Sequence, residues 1–546
     1  MSWITPHTPP LWSSSRMERS MIRVAIVGFG PRGLVALERV GAHLSETDFA
    51  ATIDVFDSSR SDGWGVHNPD LPEFIRLNTI ASQLTVYTDA EMVIPGAPTT
   101  PGPTFYEWVR DNGQTVVEYG DERRPERTDF LPRGLIGKYL AEAAARFTTD
   151  TDRLTVKVHR NEATAVRALS TGATVRTATD STELRYDLVI IATGHGTDRS
   201  ARQLELDRVP PRRRLLLRGM GLTSMDLVAH LTVGRGGRFT RDTAGIFTYH
   251  PSGEEPFLTL TSRSGQLPAA RPETDPYGRA HASDLFADNV DSLLCKYFTA
   301  STDPRNSAQR MLIDELSPRL NDREQQRLHN KLSDDKMWVD HETYSRTVFA
   351  DARWDLTEAS AGIPKSNYKA TLEALRTNRE HIRQAVDDAH PMVKAAFFAA
   401  TPNLINRLVI GPQKERIAEL IALHQSGILQ LGPGPDPILT PVGDGFQVVS
   451  RQLTVPSVVT VDEILDARET SAAAPSLLPA GRIEGARLHT SAGPQSICVV
   501  GPPAEGYSYY NHYIPSPAVP SRAHRELDVI LMELVGSVQP RVAVEL

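Results

Sequence analysis

The sequence predicts an α/β protein of two parallel-sheet, Rossmann-like domains with an inserted helical region. Three observations carry that expectation. Residues 21–57 read as apolar strand, glycine turn, amphipathic helix, alternating strand and acid. Residues 214–264 repeat that order with a basic end. Between them, an apolar run over 186–191 enters Ala192-Thr193-Gly194.

In the first unit, residues 23–27 lead into Gly28-Phe29-Gly30-Pro31-Arg32-Gly33. Gly28 permits the tight turn. Gly30 lets a pyrophosphate approach the backbone, and Gly33 lets the following helix pack close on the strand. The helix N-terminus then faces the phosphates, and Asp57, ending the next strand, is placed to accept from ribose hydroxyls. Residues 63–69 hold two glycines, a tryptophan and a proline, so they read as a loop running over the cofactor. His67 and Asn68 are within reach of cofactor or substrate there; an ordinary satisfied loop histidine is the alternative. Helices are expected from 104 and over 131–147, and Arg123, Arg124 and Arg127 read as a solvated face. Residues 154–166 and 173–178 alternate like strands of a small sheet.

In the second unit, residues 214–218 enter Gly219-Met220-Gly221, with Ser224 in the place of the third glycine. The strand 257–262 ends on Arg263-Ser264, where the first unit has an acid. A basic end suits a 2′-phosphate, which favours NADP(H) over NAD(H); a plain surface arginine is the alternative.

From 275 to 435 the pattern turns helical, with helices expected at 307–316, 326–332, 368–388, 391–400 and 415–425. Trp338 and Trp354 are expected in loops or at helix starts. This insertion is expected to cap or line the substrate site. A proline- and glycine-rich linker spans 432–437. Strands resume at 445–449 and 457–461, and 461–467 is expected to rejoin the first domain. Near the end, a strand from 497 runs into glycines beside Glu505 and Gly506. Tyr507, Tyr509, Tyr510, Asn511, His512 and Tyr513 follow, a cluster suited to lining a pocket. A helix over 522–534 closes the chain. The expected domains are therefore 21–205, 211–274, 275–435 and 440–546. Residues 1–20, rich in proline and serine and without the apolar core of a signal peptide, are expected to be a disordered extension.

Composition narrows the class. The 546 residues carry a net charge of -8, which gives no reason to expect a nucleic-acid partner. No apolar run reaches about 18 residues, so no membrane span is expected. Cys295 and Cys498 form no CxxC, which fits a reducing cytoplasm and excludes a CxxC dithiol mechanism. No metal motif or nucleophile elbow occurs.

With both turns, the Ala-Thr-Gly strand and the closing loop placed, the chain resembles the two-dinucleotide flavoproteins over nearly all of residues 21–535. Within them it is similar to the FAD-NAD(P)-binding proteins related to N-hydroxylating monooxygenases. The resemblance implies FAD at Gly28, Gly30, Pro31, Arg32, Gly33, Asp57, Thr193, Gly194, Glu505 and Gly506. It implies NADPH at Gly219, Gly221, Ser224, Arg263 and Ser264. Leu77-Asn78-Thr79, with Phe105-Tyr106-Glu107-Trp108, is similar to the region of amine N-hydroxylases that passes under the flavin. Asn78 thereby carries over as a catalytic residue, and His67 joins it as a candidate. The implied activity is N-hydroxylation of a small amino acid amine by O2 through a C4a-(hydro)peroxyflavin, in character that of the aspartate N-monooxygenases (nitrosuccinate synthases). Two substrate carboxylates would need cationic partners, for which Arg271, His67 and His512 are candidates, a surface or structural role being the alternative for each. The chain departs from the group in lacking FxGxxxHxxxW and in its length and helical middle. An NADPH-dependent flavin oxidase without N-hydroxylation and a non-catalytic flavin-binding protein remain open alternatives. A homo-oligomer is compatible with all three.

Overall fold

The computed structural model describes residues 21–59, 62–180, 182–194, 206–274, 289–334, 336–468 and 477–538. The expected extension at 1–20 lies outside them.

The first domain is built on a seven-stranded sheet. Its order is Arg482–Glu484, Arg487–Thr490, Gly493–Val499, Leu188–Ile191, Met21–Val27, Ala50–Phe56 and Leu154–His159. The five strands from Gly493–Val499 onward run parallel, and the first two add an antiparallel edge. Parallel strands read as continuous apolar runs because both faces are covered. One face packs Val24 and Ile26 against Leu34 and Leu37 of the helix Pro31–Ser45 and Leu527 and Leu531 of the helix Arg522–Val538. The other packs Ala25 and Val27 under a small antiparallel sheet through Val166, Val175 and Tyr186. That small sheet is Ala163–Ala168, Ala173–Thr177 and Leu184–Tyr186. Leu154–His159, expected in it, belongs instead to the large sheet beside Ala50–Phe56.

The second domain has four parallel strands in the order Leu429–Leu431, Phe257–Thr261, Arg214–Arg218 and Glu463–Asp466. This corrects the expectation that 461–467 rejoins the first domain. Glu463–Asp466 pairs with the second glycine-turn strand, and the chain regains the first sheet only at Arg482–Glu484. An alternating pattern identifies a strand, not its neighbour. Leu429–Leu431, expected inside the helical insertion, is an edge strand of this sheet for the same reason.

Between these strands lie the helices Val290–Phe298, Pro304–Leu316, Asp322–Leu332, His341–Ala361, Asn367–Thr377, Arg379–Asp388, Pro391–Val409 and Lys414–Gln425. Leu294, Leu312, Leu375 and Phe397 share a separate core, which Tyr509 of the closing loop joins. The expected helix over 368–388 is broken at Asn378 into two. The helix expected to end at Ala400 runs on through Pro402 to Val409. Trp354 is neither in a loop nor at a helix start: it sits within His341–Ala361 and stacks edge-on against Tyr368.

Polar ties join the lobes. Arg133 Nη1 donates to Asp226 at 2.7 Å, Tyr119 Oη to Glu419 at 2.9 Å, and Arg416 Nη2 to the Phe74 carbonyl at 2.7 Å. Among the described residues, no helix is long and apolar enough to cross a membrane and no group of side chains could hold a metal ion.

Candidate active site

The two glycine turns are built alike. Gly28 has φ +98° and donates its N–H to the Phe56 carbonyl at the end of the next strand. Gly219 has φ +131° and donates to the Thr261 carbonyl in the same way. A side chain at Gly28 would come within 2.5 Å of the Ala192 carbonyl, and one at Gly33 would overlap the carbonyl of Gly28. Only glycine allows this packing of turn on strand. Gly30 and Gly221 each precede the first residue of a helix, Pro31–Ser45 and Leu222–Thr232. Ser224 stands in for the third glycine. It is fully buried, and its Oγ donates back to the Gly219 carbonyl at 2.6 Å.

Both turns fit a dinucleotide. At the first, backbone N–H groups at a helix start face an anion position. Arg32 is buried, and its Nε and Nη1 have no hydrogen-bond partner among the described residues, as expected of a guanidinium awaiting an anion. Asp57 is buried at the strand end, where Ser59 donates to it through N–H and hydroxyl at 2.8 and 2.6 Å. At the second, Arg263 is exposed beside Ser264, with no acid partner among the described residues. Ser264 Oγ lies 3.4 Å from Ser262 Oγ.

The loop 63–69 lies over the first turn: a side chain at Gly65 would come within 2.9 Å of Pro31. His67 is half-buried in that loop, its carbonyl pressed against Gly137. Asn78 is half-buried in the irregular segment before the short turn Ala81–Gln83. Thr193 and Gly194 follow the Leu188–Ile191 strand, Gly194 at φ +70°. Glu505 accepts from the backbone of Tyr510 and Asn511 at 3.3 and 2.9 Å and faces His512 at 3.4 Å. Gly506, at φ +92°, lets the loop turn there. His512 is thus engaged with Glu505 rather than standing free.

Arg271 proves to be part of something larger. It is buried with Glu373, its Nη2 3.3 Å from that carboxylate. Arg376, also buried, donates Nε to the same carboxylate at 2.7 Å and Nη2 to Gln83 at 3.0 Å. Burial raises the Glu373 carboxyl, but Arg271 and Arg376 outweigh it and hold it down to about 2. Burial lowers the Arg271 guanidinium to about 10. One helical step on, Arg379 lies over the Tyr510 ring at 5.0 Å. Arg383 lies against both Tyr510 and Tyr513, 5.0 and 4.3 Å from their centres, and pairs with Glu380. The two rings are near-parallel with centres 6.2 Å apart, and Arg32 lies 5.3 Å from the centre of Tyr513. The result is a cluster of three arginines and two tyrosines: Arg32, Tyr513, Arg383, Tyr510 and Arg379. It runs from the first glycine turn into the helical insertion. Burial raises the Tyr513 phenol, and Arg383, Arg32 and Arg522 bring it down to about 8.

The sequence reading missed Arg376, Arg379 and Arg383. Their spacing of three and four places them on one helical face, a signal that was present but looked like the solvated charges of an ordinary surface helix.

A family model described as FAD-NAD(P)-binding matches residues 25–196. An L-aspartate N-monooxygenase (nitrosuccinate-forming) of Streptomyces davaonensis is 29% identical over 536 residues, 82% of this chain and 81% of that protein. A nitrosuccinic acid synthase of Aspergillus oryzae is 30% identical over 494 residues, 76% of this chain and 73% of that protein. The chain belongs to this family of N-monooxygenases. It is accordingly a flavoprotein monooxygenase of the FAD-NAD(P)-binding type, as the resemblance implied. Among solved structures, the FAD-bound cadaverine monooxygenase DfoA of Erwinia amylovora covers 95% of both chains at 12% identity, with a TM-score of 0.48.

Proposed function

We propose that this member of the family N-oxygenates the α-amine of L-aspartate toward nitrosuccinate, using NADPH and O2. The observation that carries the substrate is the buried cationic wall. Arg271 and Arg376 share a single carboxylate, Glu373, and Arg379 beside them lies over Tyr510 of the closing loop. Buried charge in excess of its partners is costly, so the wall suits an anionic ligand. Aspartate brings two carboxylates.

Bound FAD, reduced by NADPH, supplies the oxygen-transfer chemistry. Each oxygen inserted consumes one NADPH, one proton and one O2 and returns NADP+ and water. Successive insertions lead from amine through hydroxylamine and nitroso to nitro. In this reading Gly28, Gly30, Gly33 and the helix start hold the FAD pyrophosphate, assisted by Arg32, and Asp57 takes the ribose. Thr193, Gly194, Glu505 and Gly506 shape the cofactor cleft. Gly219, Gly221 and Ser224 hold NADPH, with Arg263 and Ser264 on its 2′-phosphate. Asn78 orients the nicotinamide, and His67 covers the turn from its loop. The arginine wall also helps the chemistry directly: a positive neighbourhood disfavours the ammonium form, and the amine must be neutral to attack.

The test is mass spectrometry of products from the FAD-loaded enzyme with NADPH, O2 and a panel of amino acids. Aspartate is expected to give N-oxygenated products and to tighten coupling of NADPH oxidation to oxygenation. If NADPH is oxidised to peroxide at the same rate with every amine and no N-oxygenated product forms, the oxidase reading replaces this one.

A further inference from the structure

We propose that Arg379 is the side chain that selects a dicarboxylic substrate, by taking its side-chain carboxylate; this rests on the reading that the substrate is an amino acid oxygenated at its α-amine. The wall contains four arginines, and three are already committed. Arg271 and Arg376 share Glu373, and Arg376 also holds Gln83. Arg383 pairs with Glu380 and lies against two rings; its nitrogens make no hydrogen bond among the described residues, but it is fully buried. Arg379 has no carboxylate within ion-pair distance among the described residues, and its contact is the face of Tyr510. It is partly accessible, whereas Arg271, Arg376 and Arg383 are buried. A guanidinium lying flat on a ring keeps its in-plane N–H groups for a carboxylate, which it can hold with two parallel hydrogen bonds.

The partner ring is positioned on purpose-built backbone. Tyr510 sits at φ +57°, a conformation that bulky residues rarely adopt. Glu505 holds it there by accepting from the N–H groups of Tyr510 and Asn511 and from the Asn511 amide at 3.3, 2.9 and 3.1 Å. Such strain persists only where surrounding contacts impose it, and it collects at ligand sites. Deeper in the wall, the Arg271 Nε is buried without a hydrogen-bond partner. The site therefore has an open cation at its accessible end and an unsatisfied donor at its buried end. Two such groups suit a ligand with two acids, the α-carboxylate inward and the side-chain carboxylate on Arg379.

The experiment compares aspartate with asparagine, which differs only in replacing the side-chain carboxylate by a neutral amide. Product formation is measured for the FAD-loaded wild type, Arg379→Gln, Arg379→Lys and Arg346→Gln. Arg346 is an exposed residue paired with Glu342 within the helix His341–Ala361 and serves as the surface control. Arg379→Gln is expected to raise KM for aspartate roughly ten- to a hundredfold, as loss of a hydrogen bond to a charged group does, and to leave KM for asparagine nearly unchanged. Arg379→Lys is expected to recover part of the aspartate preference, and Arg346→Gln to retain all of it. Flavin content, read from the visible spectrum, reports folding of each variant. If folded Arg379→Gln keeps the wild-type preference for aspartate over asparagine, the assignment of Arg379 is overturned while the aspartate reading stands. If wild type N-oxygenates neither amino acid, the reading and the assignment fall together.

Discussion

Gly33 has no freedom to change, because a Cβ there would overlap the Gly28 carbonyl. Gly33→Ala is expected to push the helix start off the turn and to yield protein with little bound flavin, measured as the ratio of visible to protein absorbance after purification. Wild-type flavin content in that variant would refute the turn as the FAD site. Arg263 makes the matching case for the second turn. Arg263→Ala is expected to raise KM for NADPH roughly ten- to a hundredfold and to leave KM for NADH unchanged, because only NADPH carries the 2′-phosphate. Equal losses with both nucleotides would place Arg263 elsewhere. Tyr513 gives a pH signature. Its phenol lies at about 8 in the fold against 10 for an ordinary tyrosine, so the unfolded chain holds that proton longer. Stability is therefore gained as pH rises from about 8 to 10. Titration of the apoprotein should show a phenolate absorbance step near pH 8 that Tyr513→Phe removes; an unchanged step would assign it to another tyrosine.

The two short helices Asn367–Thr377 and Arg379–Asp388 place all the wall arginines except Arg271. Their junction depends on Glu373, whose carboxyl is held at about 2 against 4.5 for an ordinary glutamate. A depressed acid contributes its full stabilisation above about 4.5 and loses it as pH falls toward 2. Acid unfolding followed by circular dichroism should thus be less steep between those limits in Glu373→Gln, which is also expected to be less stable at pH 7 because Arg271 and Arg376 lose their counter-charge. At this scale the sequence is uneven to read. Both glycine turns, their helices and the Leu188–Ile191 strand were legible because local sterics dictate them. The partner of Glu463–Asp466 was not, since strand neighbours are set by long-range packing that alternation does not encode. Arg376, Arg379 and Arg383 were invisible as a site for a related reason. Helical spacing puts them on one face, but only the return of Tyr510 and Tyr513 from more than a hundred residues downstream turns that face inward. Asn78, carried over by resemblance, and His67, read from its loop, are proposals; both are half-buried.

Across the whole molecule, the cation–aromatic cluster from Arg32 to Arg379 links parts that are distant in sequence: the first turn, the closing loop and the insertion. Its three guanidinium groups repel each other, and in the proposed reading the anion at the Arg32 end is the flavin's pyrophosphate. Occupying that end relieves the cluster, so FAD binding should tighten the helices of the insertion. The arginines of the cluster are themselves trypsin sites. Digestion of flavin-free protein should cut early after Arg379 and Arg383, and FAD should suppress those cuts selectively; identical fragment patterns with and without FAD would refute the link. This gives the protein an order of assembly. A chain made while flavin is scarce would leave its amino acid pocket unfinished and open to proteolysis, so vitamin supply would act as a checkpoint, removing copies that carry no flavin and cannot turn over.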